Sequence, residues 1–346
     1  QVYFYRRFAI GAISGGAAVS WQSYGALCTL VGWGIWTARR HLRGVIQKAW
    51  DPSAPVKDSD EILSYRTAVL GAVLGLVFIL AWFEAAGMGG WLAVGLVVSS
   101  FVVYLGIARV VSQSGLLYVS SPLYPQNVIL QGLGPAAIPA SSMTALAFSC
   151  ALRNDSRGLF MPSLAHVVKI GDLIGSDRRR LGVAVALGFL AAVATSIGLT
   201  LYWGYDLGAY NFGNRALLRR TVPTFNSYVA MMSSPDPVKT EVYSYFGIGC
   251  LAMFVLTFLR YRLPWWPLHP LGLAITWSGM TVHSILSVFI TWSIKAIVLK
   301  AGGVLAYRRA VPFFLGLMMG YALNVGISFL LDITYFNGLG HGVHAY

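Results

Sequence analysis

Charged residues are scarce in this sequence, and acidic residues are about half as common as basic ones. Asp, Glu, Lys and Arg together make up 11% of the 346 residues, and hydrophobic residues make up 57%. A soluble domain usually carries about 25% charged residues. So little polar surface cannot cover a water-soluble globule of this size, which excludes an ordinary soluble protein.

Cysteine pairs, nucleotide-binding loops and catalytic motifs are also missing. The three cysteines lie far apart in apolar runs, with no CxxC pair, which argues against zinc and iron–sulfur sites. No GxxxxGK[ST] loop is present, which argues against ATP-driven transport. No Ser-His-Asp or HExxH pattern appears either. We therefore expect no enzyme activity, no cofactor and no bound metal.

The net charge of +13 allows two interpretations. Nucleic acid binding would need a compact basic domain, and the sequence contains none. The alternative is that Lys and Arg gather in the cytoplasmic loops of a membrane protein. We favour the second interpretation, with the lipid bilayer as partner and no nucleic acid.

What the sequence does contain is a series of long, solidly apolar runs. Most approach the roughly 20 residues that a helix needs to cross a bilayer. They predict an all-α, polytopic helical membrane protein with about seven to nine membrane segments, one or two of them candidate re-entrant hairpins. We expect a single transmembrane domain over 1–346, with spans at 18–38, 67–86, 91–110, 181–203, 243–259, 271–300 and 311–333.

Three connections are expected outside the bilayer. Residues 41–65 and 156–180 carry basic and amphipathic stretches and are predicted to be cytoplasmic loops or interfacial helices. Residues 204–241 form a long polar stretch that we expect on the external side. The chain starts abruptly at "QVYFYRRFAI", which indicates a processed or truncated chain.

Residues 112–140 are apolar enough to enter a membrane, but four prolines interrupt them. Broken backbone at membrane depth is tolerated only where protein or a water-filled cavity covers it. The segment is either a re-entrant hairpin or two weak crossings, and the charges at its ends do not separate these alternatives. Its polar side chains are candidates for a substrate path: Ser114, Ser121, Tyr124 and Asn127.

A second polar cluster lies near the centre of 271–300, and it adds Thr276, Ser278 and His283 to the candidate path. The run is long for one crossing, so it is either a single span or a hairpin with its tip near Ser278–Gly279. For His283 three roles stay open: a packing histidine, a proton-relay or substrate group, and a pigment or haem ligand.

Arg109 is the remaining path candidate, because an ionisable residue inside a span is costly and is often functional. The alternative is that its side chain extends to the cytoplasmic interface. After 243–259 the chain reads "RYRLPWWPLHP", where prolines prevent helix and aromatic residues suit the headgroup level. We predict an interfacial elbow with the anchors Arg260, Arg262, Trp265, Trp266 and His269.

Four stretches resemble a known family: "LSYRTAVLGAVLG", "ARVVSQSGLLYV", "RYRLPWWPLHPLGLAI" and "GGVLAYRRAVPFFLGLMMGY". The chain resembles, from residue 40 to 335, the C-terminal half of an uncharacterised family of bacterial and archaeal membrane proteins grouped near the oligopeptide transporter superfamily. The resemblance implies secondary transport with re-entrant hairpins, and a location in the bacterial or archaeal cytoplasmic membrane.

Two functions follow from these features. The first is a secondary transporter that moves a small polar or peptide-like solute, coupled to protons. The second is a non-catalytic structural or accessory subunit of a larger membrane complex, whose polar groups only hold helices together. In either case we expect a missing N-terminal half or other membrane subunits as partners.

Overall fold

The structure is a computed structural model that describes residues 15–116, 119–152, 160–175, 177–208, 222–235, 239–276 and 279–336. Over these ranges the chain forms helices and turns and no strand. The prediction of an all-α protein is therefore confirmed.

The chain divides into two compact units, 1–282 and 283–346. The α-helices, in order, are α1 (Gly15–Trp50), α2 (Tyr65–Ala85), α3 (Gly90–Ser114), α4 (Pro125–Leu133), α5 (Ala140–Phe148), α6 (Phe160–Ile174), α7 (Arg178–Trp203), α8 (Val222–Ser233), α9 (Glu241–Arg262), α10 (Leu271–Ala274) and α11 (Gly279–Tyr335). Helix α11 begins at the end of the first unit and forms most of the second.

Several helices begin where the sequence supplies a cap. The Ser64 hydroxyl accepts a hydrogen bond from the Thr67 amide and starts α2, and the Asp177 carboxylate accepts one from the Arg179 amide and starts α7. Pro125 occupies the first turn of α4, where its missing N–H costs nothing. These caps satisfy amides that have no partner inside the helix.

Five helical segments in the described part of the chain are long and apolar enough to cross a membrane. They are Tyr65–Ala85, Gly90–Ser114, Arg178–Gly208, Glu241–Arg262 and Ile285–Tyr335. These segments agree with a membrane protein, and they include most of the expected spans. The expected number of seven to nine membrane segments is not confirmed.

The first helix differs most from its prediction. Instead of a span at 18–38 followed by a separate interfacial helix, α1 runs without a break from Gly15 to Trp50. It is not one of the five candidate spans. Its first half is buried in the core, including the polar residues Ser20, Gln22 and Ser23.

Helices α1 and α9 form the centre of the first unit by packing backbone against backbone. A Cβ added to Gly25 would overlap the carbonyl oxygen of Phe246, and one added to Gly249 would overlap that of Gln22. The Cys250 thiol also donates to the Gly25 carbonyl oxygen at 3.3 Å. Small residues at both positions therefore allow the close crossing that membrane helices often use.

The segment 112–140 is broken, as its prolines predict. After α4 the chain makes a 3₁₀ turn at Pro135–Ala137 and continues as α5. Its residues Ile129, Leu130 and Ile138 share a buried cluster with side chains of α3 and α5. Neither a re-entrant hairpin nor two crossings is confirmed for it.

Helix is present in 156–180, where an interfacial helix was one expectation, and also in 204–241, where a long polar stretch was expected. Within 156–180, helix α6 packs against α3, and within 204–241 a π-helical turn at Gly204–Gly208 and helix α8 are present. Helix α8 packs against α5, with Tyr228 buried between them. Each helix packs through an apolar face, although the sequence around it is polar.

The second unit is a helical hairpin that reverses at Gly303. Gly303 has a φ of 66°, which interrupts α11. Thr291 and Lys295 on the first arm line one cavity with Phe314 and Met318 on the second. In a straight helix, residues so far apart in sequence would be separated by about 1.5 Å per residue and would not meet.

The prediction that 271–300 is not one uninterrupted helix is confirmed. Helix α10 ends at Ala274, and Ile275 and Thr276 form a turn before α11 begins at Gly279. The expected hairpin tip at Ser278–Gly279 is not confirmed, because Ser278 lies outside the described residues. The reversal that the structure contains is at Gly303.

Candidate functional site

A largely polar cavity of about 260 Å³ lies where α3 and α9 end beside the middle of α1. We call it the arginine pocket. Helix α1 contributes Leu30 and Trp33, and the elbow after α9 closes one side. The remaining lining residues are Arg109, Gln113, Thr257, Arg260, Tyr261, His269, Pro270 and Leu271.

Arg109 reaches the arginine pocket from the last turns of α3. Its Nη1 donates a hydrogen bond of 2.9 Å to the Leu30 carbonyl oxygen of α1. The guanidinium passes so close to Gly34 that a Cβ there would collide with it. This geometry fixes one corner of the guanidinium and leaves its other N–H groups for further partners.

The elbow brings His269 to the same cavity. Residues 263–270 contain no helix, as the prolines predict, and the Leu271 amide donates to His269 Nδ1 at 3.3 Å. Partial burial lowers the pKa of His269, and the positive charge of Arg260 lowers it further. The histidine is therefore mostly neutral at pH 7, which leaves Nδ1 free to accept that bond.

Positive charge in the arginine pocket has no acidic counterpart. None of its lining residues is Asp or Glu, and no ion pair involving Arg109 or Arg260 occurs within the described ranges. The indole N–H of Trp33 is buried and has no hydrogen-bond partner among the described residues. The cavity therefore presents positive charge without a negative charge to match it.

The broken segment carries a second group of buried polar side chains. The Gln126 amide is 2% exposed, and its nitrogen donates to the Ser149 carbonyl oxygen at 2.9 Å. Its oxygen has no partner in the described part of the chain. Asn127, the next residue, is half-buried, and its side chain makes no hydrogen bond to the described residues.

Two side-chain bonds connect the core of α1 to other helices. The Trp21 indole donates to Gln131 Oε1 of α4 at 2.8 Å, and the Tyr24 and Ser99 hydroxyls share a bond of 2.9 Å between α1 and α3. Sequence reasoning did not single out these residues. Their signal was the spacing of Trp21 and Tyr24, which places both polar aromatic tips on one face of α1.

Several predicted path residues use their polar groups locally. The Ser121 hydroxyl donates to the Leu123 carbonyl oxygen at 2.6 Å, and Thr276 donates to two carbonyl oxygens of α10. Ser114 is exposed and accepts from the Leu116 amide at 3.3 Å. Tyr124 is half-buried at the start of α4. The hydrogen bonds of Ser114, Ser121 and Thr276 are all made to backbone atoms nearby in the sequence.

The remaining path candidates fall outside what the structure describes. Ser278 is not among the described residues. His283 lies on α11, but its side chain is likewise not described. Its possible roles stay as predicted from the sequence.

The predicted anchors do not form one group. Trp265 is 71% exposed, and the guanidinium of Arg262 lies 5.6 Å from the centre of the Phe258 ring. The indole N–H of Trp266 is buried and has no partner among the described residues. Arg260 and His269 instead line the arginine pocket with Arg109, so the structure joins residues that the sequence assigned to different roles. The headgroup position of the tryptophans stays a prediction.

Residues 5–338 match a family of unknown function, DUF6785. No curated protein and no solved structure matches the chain. The match covers nearly the whole chain, and it contains no link to the oligopeptide transporters.

Proposed function

The chain belongs to a family of unknown function, DUF6785, and we propose from its own residues that it is a secondary transporter, or part of one, for a small polar solute. The resemblance of the "WWPLHP" corner to membrane proteins grouped near the oligopeptide transporters supports this proposal. It also supports a location in a bacterial or archaeal cytoplasmic membrane and coupling to protons, with His283 or an acid in a partner half as carrier.

The observation that carries the proposal is the broken segment from α4 to α5. In a continuous membrane helix nearly every backbone amide is satisfied inside the helix, whereas this segment ends one helix at Leu133 and starts another at Ala140. Gln126 and Asn127 lie in the first turn of α4 with unsatisfied polar atoms. Discontinuous helices with free polar groups are where transporters commonly hold their solutes.

One observation favours the alternative, a structural subunit of a larger complex. No residue of α7 is buried, and α7 exposes a long run of apolar side chains. Such a surface suits either lipid or a neighbouring subunit, and in the second case the polar groups inside would serve only to hold helices together.

The experiment compares two side chains of the segment that differ in their contacts. Asn127→Leu removes a polar group that has no described partner, so we expect it to lower uptake by at least tenfold and to leave thermal stability unchanged. Ser121→Val removes a buried hydroxyl that holds the Leu123 carbonyl oxygen, so we expect it to lower the melting temperature, because a lost buried bond costs about 1–3 kcal/mol.

Uptake is measured in vesicles reconstituted with the chain, first with a labelled dipeptide and then with single amino acids, under an inward proton gradient. Asn226→Leu on the exposed face of α8 is the matched control, because it makes the same change away from the segment. If Asn127→Leu lowers stability and no solute enters in the wild type, the structural alternative replaces transport.

A further inference from the structure

We propose that the arginine pocket binds a phosphate group through Arg109 and Arg260. This site is independent of the broken segment and of the proposed transport. It lies entirely within the first unit, and its residues come from α1, α3, α9 and the elbow.

The charges of the pocket determine the sign of its ligand. Two guanidinium groups line one cavity without any acidic residue, and neither takes part in an ion pair within the described part of the chain. Positive groups that share a cavity repel each other. An anion relieves that repulsion, whereas a cation or a neutral solute does not.

The donors determine the kind of anion. A guanidinium matches the oxygens of a phosphate or a carboxylate through paired N–H groups. Arg109 is held at one corner by the Leu30 carbonyl oxygen and keeps its other donors, and Arg260 has no described hydrogen bond. Two arginines balance two negative charges, and a phosphate monoester carries about −1.5 to −2 at pH 7.

The volume limits the size of the ligand. About 260 Å³ corresponds to roughly nine water molecules at about 30 Å³ each. That volume accepts inorganic phosphate, a small phosphate monoester or a lipid headgroup, but not a folded peptide. The phosphate therefore has two sources, a solute or an anionic lipid, and the experiment separates them.

Binding is measured by calorimetry with inorganic phosphate, on the chain in nanodiscs of neutral phosphatidylcholine. A second arm uses nanodiscs that contain phosphatidic acid and measures lipid retained by the protein in native mass spectrometry. The key variant is Arg260→Gln, because Arg260 has no described hydrogen bond whose loss would disturb the fold. Arg109→Gln tests the second arginine.

The matched control is Arg262→Gln. Arg262 lies on the same end of α9 and has the same charge, but it does not line the arginine pocket. We expect Arg260→Gln and Arg109→Gln each to weaken phosphate binding by at least tenfold, and Arg262→Gln by less than twofold.

Two results support the site. Free phosphate that binds in neutral nanodiscs and is lost in Arg260→Gln identifies a solute site. Phosphatidic acid that is retained by the wild type and lost in Arg260→Gln, without binding of free phosphate, identifies a lipid site. The proposal is overturned if neither ligand binds, or if Arg262→Gln weakens binding as much as Arg260→Gln. Uptake is not measured, so failure here leaves the transport proposal unaffected.

Discussion

His269 makes the arginine pocket sensitive to acid. Its pKa is lowered below the ordinary value of about 6.5 by partial burial and by Arg260, and its Nδ1 accepts the Leu271 amide only while neutral. Protonation therefore adds a positive charge to the cavity that Arg260 and Arg109 also line. A histidine whose pKa is lower in the folded state than in the unfolded state destabilises the fold at pH values below the unfolded pKa. It has no such effect at pH values above the unfolded pKa.

We expect the melting temperature of the ligand-free chain to fall as the pH drops from about 6.5 toward the lowered pKa of His269. The same protonation should tighten binding of sulfate, whose charge is constant over this range. In His269→Gln both effects should be smaller. A melting temperature that falls equally in the variant would assign the acid sensitivity to another group.

At the scale of elements, the crossing of α1 and α9 depends on a few glycines. Gly249→Ala places a methyl group against the Gln22 carbonyl oxygen and must separate the helices, at a cost of about 1–3 kcal/mol. Gly247→Ala, two residues earlier on the same helix, meets no atom within 4 Å. It should be neutral or stabilise by up to about 1 kcal/mol. Thermal unfolding in detergent measures both, and equal stability of the two variants would contradict the close crossing.

Some elements could be predicted from the sequence and others could not. Helices α2, α3 and α9 follow from long apolar runs, and the elbow follows from its prolines, because both signals are local. The predicted span at 18–38 was shorter than α1 because Arg39 and Arg40 were interpreted as its end, although arginines do not break a helix. The turn at Gly303 was missed because a single residue with positive φ leaves little trace in the surrounding apolar run.

The arginine pocket could not be predicted for a related reason. Arg109 and Arg260 were each recognised as unusual, but they lie on helices far apart in the sequence. Only the packing of α3 and α9 against α1 brings them to one cavity. No rule of sequence spacing connects such residues. The long apolar runs that predict the spans, in contrast, each lie within one helix.

At the scale of the whole molecule, the basic residues and the helix directions agree on one orientation. Helices α2 and α3 are joined by a short turn, so the start of α2 and the end of α3 share a side, and the arginine pocket joins the end of α3 to the end of α9. That side carries Arg66, Arg109, Arg260 and Arg262, and from the positive-inside rule we expect it to face the cytoplasm.

Cysteine labelling tests this orientation. In a cysteine-free background, a membrane-impermeant maleimide should label Trp265→Cys in inverted vesicles and not in intact cells. Ala86→Cys, at the exposed turn between α2 and α3, should show the opposite pattern. If both positions are labelled from the same side, the orientation is wrong and the arginine pocket would face outward.

The pairing of α1 with α9 joins two helices that are synthesised far apart in time. The thiol of Cys250 and the carbonyl of Gly25 are 225 positions apart. A ribosome adding roughly 5–20 residues per second needs roughly 10–45 seconds to deliver the second partner after the first. Throughout that interval the Gln22 backbone lacks the close neighbour that Gly249 of α9 later provides. Helix α1 therefore reaches its final packing only after α2 to α8 have been synthesised.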